Sequence, residues 1–188
     1  MHPVWLALGG NQGDVLGTFR WALQALEASL GQLLACSSAF RTRAVVPADW
    51  DAPLPPDYWN AVVALRTERP PQTLLPLLKD IERRAGRCAS RRWASRPLDI
   101  DVLVYADLQL DAADLTVPHP RLAERAFVLQ PLAEVAPQLA IPRGSGTVTP
   151  SALLDALPDR NAGIHEIRAD WRVDGWEQAD LCAQPLPS

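Results

Sequence analysis

Lysine is nearly missing: Lys79 stands alone against seventeen arginines. Cysteine is sparse, with Cys36, Cys88 and Cys182 far apart and no C-x-x-C spacing among them. That pattern reads as reduced thiols in a cytosolic protein rather than a disulfide framework. The three histidines are equally scattered, which argues against a clustered zinc site. No apolar run approaches the ~20 residues of a membrane span. The opening MHPVWLALGGNQGD has no basic stretch followed by a long apolar one, so no signal peptide is read there and the chain is expected in the cytoplasm. An excess of positive charge is also missing. The net charge of -4 argues against a general nucleic-acid binder, whose footprint is usually basic. Finally, GGNQGD matches neither G-x-x-x-x-G-K-S/T nor G-x-G-x-x-G, so any ATP bound here is not bound through a P-loop.

What is present suits a single globular domain. The chain has 188 residues, 48% of them apolar and 21% charged. Val4 to Leu8 reads as a buried strand leaving through a glycine turn. Asp14 is placed to cap a helix over Val15 to Leu30, where Leu16, Phe19, Ala22, Leu23, Leu26 and Leu30 recur at helical spacing and Gly31 ends the run. LLACSSAFRTR reads as one strand. PADWDAPLPP, with four prolines, is a loop, and long loops in compact domains are often functional. YWNAVVALRTE is a strand. PPQTLLPLLKDIERRAGR is a helix, with Pro76 marking a candidate start and Gly86 its end. A basic loop, Arg87 to Arg96, runs into a strand from Leu98 to Tyr105. ERAFVLQPLAEVAPQL is expected to be a helix interrupted at Pro131, followed by a short helix in PSALLDALPD and a short strand in AGIHEIRAD. The order strand, helix, strand, strand, helix, strand predicts an α+β fold of the ferredoxin-like βαββαβ type, an antiparallel sheet with helices packed on it. A main domain over residues 1–160 and a C-terminal extension over 161–188 are expected. Within that extension, Trp171 and Trp176 suit packing on the core or an interface.

One stretch, RRWASRPLDIDVLVY, carries two aspartates inside a strand-like run. Side chains at i and i+2 of a strand share a face, ~6–7 Å apart. Asp99 and Asp101 therefore project together, while Leu98, Ile100, Val102 and Val104 are expected to face the core. Two adjacent carboxylates repel unless water screens them or a cation sits between them. Magnesium meets that need, taking oxygen ligands while keeping several waters. Arg83, Arg84, Arg87, Arg91, Arg92 and Arg96 crowd the preceding residues. The first few suit the C-terminal end of the preceding helix. Arg91 to Arg96 do not, and arginines beside metal carboxylates are the parts that hold a polyphosphate. Trp93 suits stacking on a ring or filling a gap equally well.

RRWASRPLDIDVLV resembles the signature of the 6-hydroxymethyl-7,8-dihydropterin pyrophosphokinases. LALGGN, FRT, DYWNAVVAL, IERRAGR and LTVPHPRLAERAFVLQPLAEVAP resemble further blocks of that family in the same order, over about residues 4 to 142. The resemblance implies a folate-biosynthesis enzyme that moves the pyrophosphoryl group of ATP to the hydroxymethyl group of the dihydropterin and releases AMP. It implies ATP as co-substrate, two Mg2+ ions, and small-molecule partners with no nucleic acid and no membrane. A monomer is expected.

By the same resemblance, Asp99 and Asp101 are the metal ligands, and Arg96 and Arg87 act with them in catalysis. Glu82, Trp93, Thr116, His119 and Arg125 would meet the nucleotide. Tyr58 and Phe127 would sandwich the pterin ring, which is worth roughly 0.5–1.5 kcal/mol per face beyond burial. Asn60 would bond its edge, with Asn11, Thr42 and Val45 nearby. On residue type alone, Tyr58 and Phe127 would also pass as core aromatics. Asn60 is less ordinary, because asparagine is depleted in strands and needs a partner when buried. Gly10 stands where the family commonly has serine. Another magnesium-dependent nucleotidyl or phosphoryl transferase on the same fold is the alternative. An RNA-binding ferredoxin-like module would need a basic sheet face, and the aspartates argue against it.

Overall fold

Strand β1 (His2–Gly10) leads into helix α1 (Val15–Leu30), which Asp14 caps by accepting a hydrogen bond from Gly17 N at 2.9 Å. The cap satisfies one of the N–H groups a helix leaves unpaired at its start. The coordinates are a computed structural model that describes residues 1–47, 49–88 and 94–172. The chain continues through β2 (Gly31–Cys36), β3 (Ala39–Thr42), β4 (Tyr58–Thr67), α2 (Pro71–Arg84) and β5 (Asp99–Tyr105). Two short hairpins follow: β6 (Leu110–Asp111) with β7 (Thr116–Val117), and β8 (Ile141–Arg143) with β9 (Gly146–Val148). Between and after them lie α3 (Ala126–Val135), α4 (Pro150–Asp155) and β10 (Ile164–Arg168).

The main sheet runs β10-β3-β4-β1-β5, with β2 also paired to β4, and every pairing is antiparallel. This is the expected α+β class. Helices α1 and α2 bury Phe19, Leu26, Leu74, Leu78 and Ile81 against one sheet face. Helices α3 and α4 bury Val128, Leu129, Leu132, Leu153 and Leu154 against the other. A sheet covered on both sides has no polar face in its middle. Hence Ala61, Val62, Val63, Ala64 and Leu65 of β4 are all buried.

Several expectations change. LLACSSAFRTR is two strands, because serine side chains take over the ladder at the junction. Ser37 Oγ accepts from Val62 N at 2.9 Å, while Ser38 N and Oγ both donate to Glu134 Oε1. Pro131 does not interrupt its helix and Pro76 does not start one; both lie inside. A proline costs a helix one N–H bond and some crowding, and in α3 the burial of Leu129, Leu132 and Val135 around it outweighs that cost. Leu98, Ile100 and Val102 pack with the α1 and α2 layer, but Val104 packs with the α3 layer. The β1–β5 register shifts between Trp5 and Leu6, which turns the end of β5 over.

Gly10 has no room for a side chain: a Cβ there would lie 2.5 Å from the Pro97 carbonyl oxygen. In this backbone the glycine lets the end of the basic loop close against β1. Among the described residues, no helix is long and apolar enough to cross a membrane. Trp171 packs on the core, 1% exposed, with its ring edge-on to Phe19. Trp93, Arg91, Arg92, Trp176 and Cys182 lie outside the described residues.

Candidate active site

The α3 face of the sheet is only partly roofed. Towards Gly10, small residues leave it open. Gly9 of β1 pairs with Asn60 on one side and Asp99 on the other, and Ala7 pairs with Val62 and Asp101. Asn60, Gly9 and Asp99 thus form one row across the sheet, with Ala7 and Asp101 in the next. A cleft of about 220 Å³ stands on this floor. Its walls include Thr42, Arg43, Val45 and Tyr58 on one side and Arg125, Phe127 and Val128 on the other, with Arg96 beside the aspartates.

The two aspartates sit in different surroundings. Asp99 binds two guanidinium groups, that of Arg96 at 2.8 Å and that of Arg87. Burial pushes the Asp99 carboxyl up, but Arg87, Arg96 and Lys79 outweigh it and hold it below the usual carboxylate range. The Asp101 carboxylate makes no hydrogen bond or ion pair among the described residues, and its charge is felt at His119 and Arg125. Burial lowers the His119 imidazole, Asp101 raises it, and Arg125 and Arg121 lower it further, leaving it below its ordinary value. Burial and the neighbouring Arg121 likewise lower Arg125. Among the described residues, one acidic group is therefore charge-compensated by arginines, and the other lines the cleft with no cationic side chain bonded to it.

Glu82 braces this arrangement from below. It is 1% exposed and accepts from Ile100 N, the amide between the two aspartates, at 2.7 Å. It also binds Lys79 at 2.9 Å and Arg87 at 2.5 Å. Burial raises its carboxyl above the ordinary value despite those cations. Asn11 is a second brace. Its Oδ1 accepts from Arg96 N at 2.9 Å, and its Nδ2 donates to Pro56 O at 3.1 Å and to Ser95 Oγ at 3.2 Å. One side chain thereby ties the β1 turn to both flanking loops.

At the other end of the cleft, Asn60 is buried and Nδ2 donates to Thr42 Oγ1 at 2.9 Å. That bond fixes the amide and leaves Oδ1 near Gly9. The Arg125 guanidinium lies 5.7 Å from the Phe127 ring centre, a cation–π contact.

The structure brings Asp99, Asp101, Arg96, Arg125, Thr42, Val45, Tyr58, Asn60 and Phe127 to one cleft. Arg87 reaches it through Asp99, and His119 through the field of Asp101. Glu82 and Asn11 lie behind it as braces. Thr116 does not line it; its hydroxyl donates to Asp111 at 3.0 Å in the β6–β7 hairpin. The sequence reading missed Arg43, Ala7 and Gly9, which also line the cleft. The signal was available in LALGG, where two small residues at alternate positions mark a strand that must leave one face clear.

The donor set fits a hard divalent ion. Asp99 and Asp101 offer carboxylate oxygens from one strand face, and magnesium is usually held by one or two carboxylates plus phosphate oxygens and water. Among the described residues no cluster of three or more His, Cys, Asp or Glu offers a complete metal cage.

The family model described as 7,8-dihydro-6-hydroxymethylpterin-pyrophosphokinase matches residues 5–137. The chain belongs to this family. Among its relatives, the 2-amino-4-hydroxy-6-hydroxymethyldihydropteridine pyrophosphokinase of Synechocystis sp. is 41% identical over 148 residues, 78% of this chain and 73% of that protein. The enzyme of the same name from Porphyromonas gingivalis is 38% identical over 143 residues, 74% of this chain and 94% of that one. The fold is shared with a solved Plasmodium falciparum HPPK-DHPS wild type with STZ-DHP, at a TM-score of 0.63 and 13% identity over 82% of this chain. This chain covers less than half of that longer one, 43%.

Proposed function

We infer that this chain transfers the pyrophosphoryl group of ATP to the hydroxymethyl group of 6-hydroxymethyl-7,8-dihydropterin and releases AMP, a step of folate biosynthesis. Nothing in the comparisons supports the alternative transferase. The observation that carries the reading is one cleft lined by an amide and two aromatic rings from β4 and α3 and by two aspartates from β5, with arginines beside them.

The residue roles follow from that division. Tyr58 and Phe127 are the acceptor's stacking surfaces, and Asn60, held by Thr42, offers an amide to the pterin edge. Thr42 and Val45 border the same end. Asp99 and Asp101 are the residues that would hold Mg2+, two ions in this reading, and the metal would supply positive charge against the phosphate oxygens of ATP. Arg96, Arg87 and Arg125 neutralise the remaining negative charge, which grows between the attacking and leaving oxygens. His119, with its imidazole held towards the neutral form, offers a hydrogen bond rather than a charge to the nucleotide. Glu82 and Asn11 act by holding Arg87 and the end of the basic loop at Arg96.

The reaction is an in-line displacement. The hydroxymethyl oxygen bonds to the β-phosphorus, the bond from that phosphorus to the α,β-bridging oxygen breaks, AMP leaves and the hydroxyl proton passes to solvent. The chain's contribution is alignment and charge, since no side chain in the cleft needs to be a nucleophile. We read the sheet order, with a helix after the first and third strands of its core, as the ferredoxin-like type. We read the main domain over residues 1–160, with the segment from 161 adding β10 to its sheet and Trp171 to its core, and the enzyme as a cytoplasmic monomer acting on small molecules, with neither nucleic acid nor membrane as partner.

The test mixes protein, ATP, magnesium and hydroxymethyl-dihydropterin. AMP and a diphosphorylated pterin are expected only when all are present. AMP without the pterin, or ADP as the product, would refute the reading.

A further inference from the structure

We propose that strand β10 is a positioning element for the pterin end of the cleft, holding the two ends of the proline-rich loop, at Arg43 and Asp57, and the Thr42–Asn60 bond in register. This rests on the functional reading above and goes beyond it, because the segment lies outside every motif that identified the site.

The backbone argument starts at β3. This strand has only four residues, ends at Thr42, and hands over directly to the proline-rich loop. Without a neighbour it would be a short sheet edge, which frays easily. β10 supplies the neighbour. Ile164 pairs with Thr42, Ile167 with Phe40 and Arg168 with Ala39. The pairing extends one step into the loop, where Arg43 N donates to Gly163 O at 3.1 Å. Thr42 then accepts from Asn60, so the register of β10 passes to the amide in the cleft.

Side chains add a second tie. Asp57, next to Tyr58, lies 3.0 Å from His165 Nε2 and 3.5 Å from Arg41 Nε, and Arg41 also binds Glu166 at 3.2 Å. The exit of the loop is thereby pinned to the same strand as its entry. These groups are partly exposed, so their contribution to global stability is small; their effect is on where the loop sits.

The segment is anchored at both ends, so it has something to transmit. Before β10, Gln130 Nε2 of α3 donates to Arg160 O at 2.9 Å. After it, Trp171 Nε1 donates to Ser37 O at 3.0 Å, and Arg20 NH1 donates to Trp171 O at 3.2 Å. The turn into β10 depends on Gly163, whose φ of +73° is a conformation that side chains rarely adopt.

Two variants test the proposal: Gly163→Val, which strains the turn, and the double substitution H165Q/E166Q, which removes the His165–Asp57 and Glu166–Arg41 contacts at partly exposed positions and leaves the core alone. Binding of the dihydropterin in the presence of a non-hydrolysable ATP analogue and magnesium is measured by titration, together with binding of the analogue alone. The expected result is roughly a fivefold loss of pterin affinity in each variant, with analogue affinity within about twofold of the unaltered chain and an unchanged melting point for the double variant. Faster hydrogen exchange at the Arg43 amide is expected in Gly163→Val. Unchanged pterin affinity in H165Q/E166Q, or equal losses for pterin and analogue, would overturn the proposal even if Gly163→Val failed to fold. Absence of pterin binding by the unaltered chain would overturn the functional reading itself, and this inference with it.

Discussion

Replacing Asp99 or Asp101 by alanine should have the same effect on catalysis and different effects on stability. Asp99 accepts hydrogen bonds from Arg96 at 2.8 Å and from Arg87. The three side chains are 27%, 20% and 28% exposed, so water partly replaces the lost partner. A hydrogen bond to a charged group contributes about 1.5–3 kcal/mol when buried, and with solvent screening the loss for Asp99→Ala is about 1–3 kcal/mol. Asp101 has no such partner among the described residues, and its removal also relieves repulsion from Asp99. Asp101→Ala should therefore stay within about 0.5 kcal/mol of the parent. Urea denaturation followed by fluorescence measures both. AMP formation should fall by at least ~10³-fold in both variants, because each would remove a ligand of the metal that offsets the phosphate charge. Equal stability of the two variants would refute the assigned ion-pair pattern, and near-normal turnover by Asp101→Ala would remove its metal role.

Glu82→Ala should destabilise the fold by about 1–3 kcal/mol, chiefly because it leaves the buried Ile100 N without an acceptor while Arg87 keeps Asp99, whereas Glu82→Gln should recover part of that loss; thermal melts of both variants decide, and equal melting points would contradict the brace. Because the folded Asp99 carboxyl lies below its ordinary value, its stabilisation is present above the unfolded pKa and is lost as pH falls through the folded one. Asp99→Asn should therefore flatten the acid-side fall in the urea midpoint, and an unchanged slope would contradict the charge clamp. Asn60→Ala should raise the pterin KM by about tenfold, equivalent to about 1.4 kcal/mol, with the ATP KM unchanged in steady-state kinetics; an unchanged pterin KM would remove Asn60 from the acceptor end.

Features set by local chemistry were legible in the sequence. The apolar spacing of Phe19, Leu23 and Leu26, the Asp14 cap and the Asp99–Asp101 pair follow from periodicity and short-range bonding, and the structure has them where the residues indicate. Features set by distant partners were not. The break between β2 and β3 depends on Val62 and Glu134, far along the chain. Val104 turns over because β1 and β5 shift register, which neither strand reveals alone. Pro131 sits within a helix because burial overrides propensity. Glu82 was expected, by resemblance alone, to meet the nucleotide, and only the approach of β5 makes it a buried brace. The cleft was half legible. Its charged end is local in sequence, while its aromatic and amide end is assembled from β3, β4 and α3, and only the family motifs grouped those residues before the fold did.

A crystal structure with a non-hydrolysable ATP analogue, magnesium and the dihydropterin bound together would test the central claim most directly. The pterin ring should lie against Phe127 and Tyr58 with its edge at Asn60, and carboxylate oxygens of both Asp99 and Asp101 should stand ~2.1 Å from magnesium. A pterin bound elsewhere, or aspartates still engaged only by arginines while the nucleotide is in place, would contradict it.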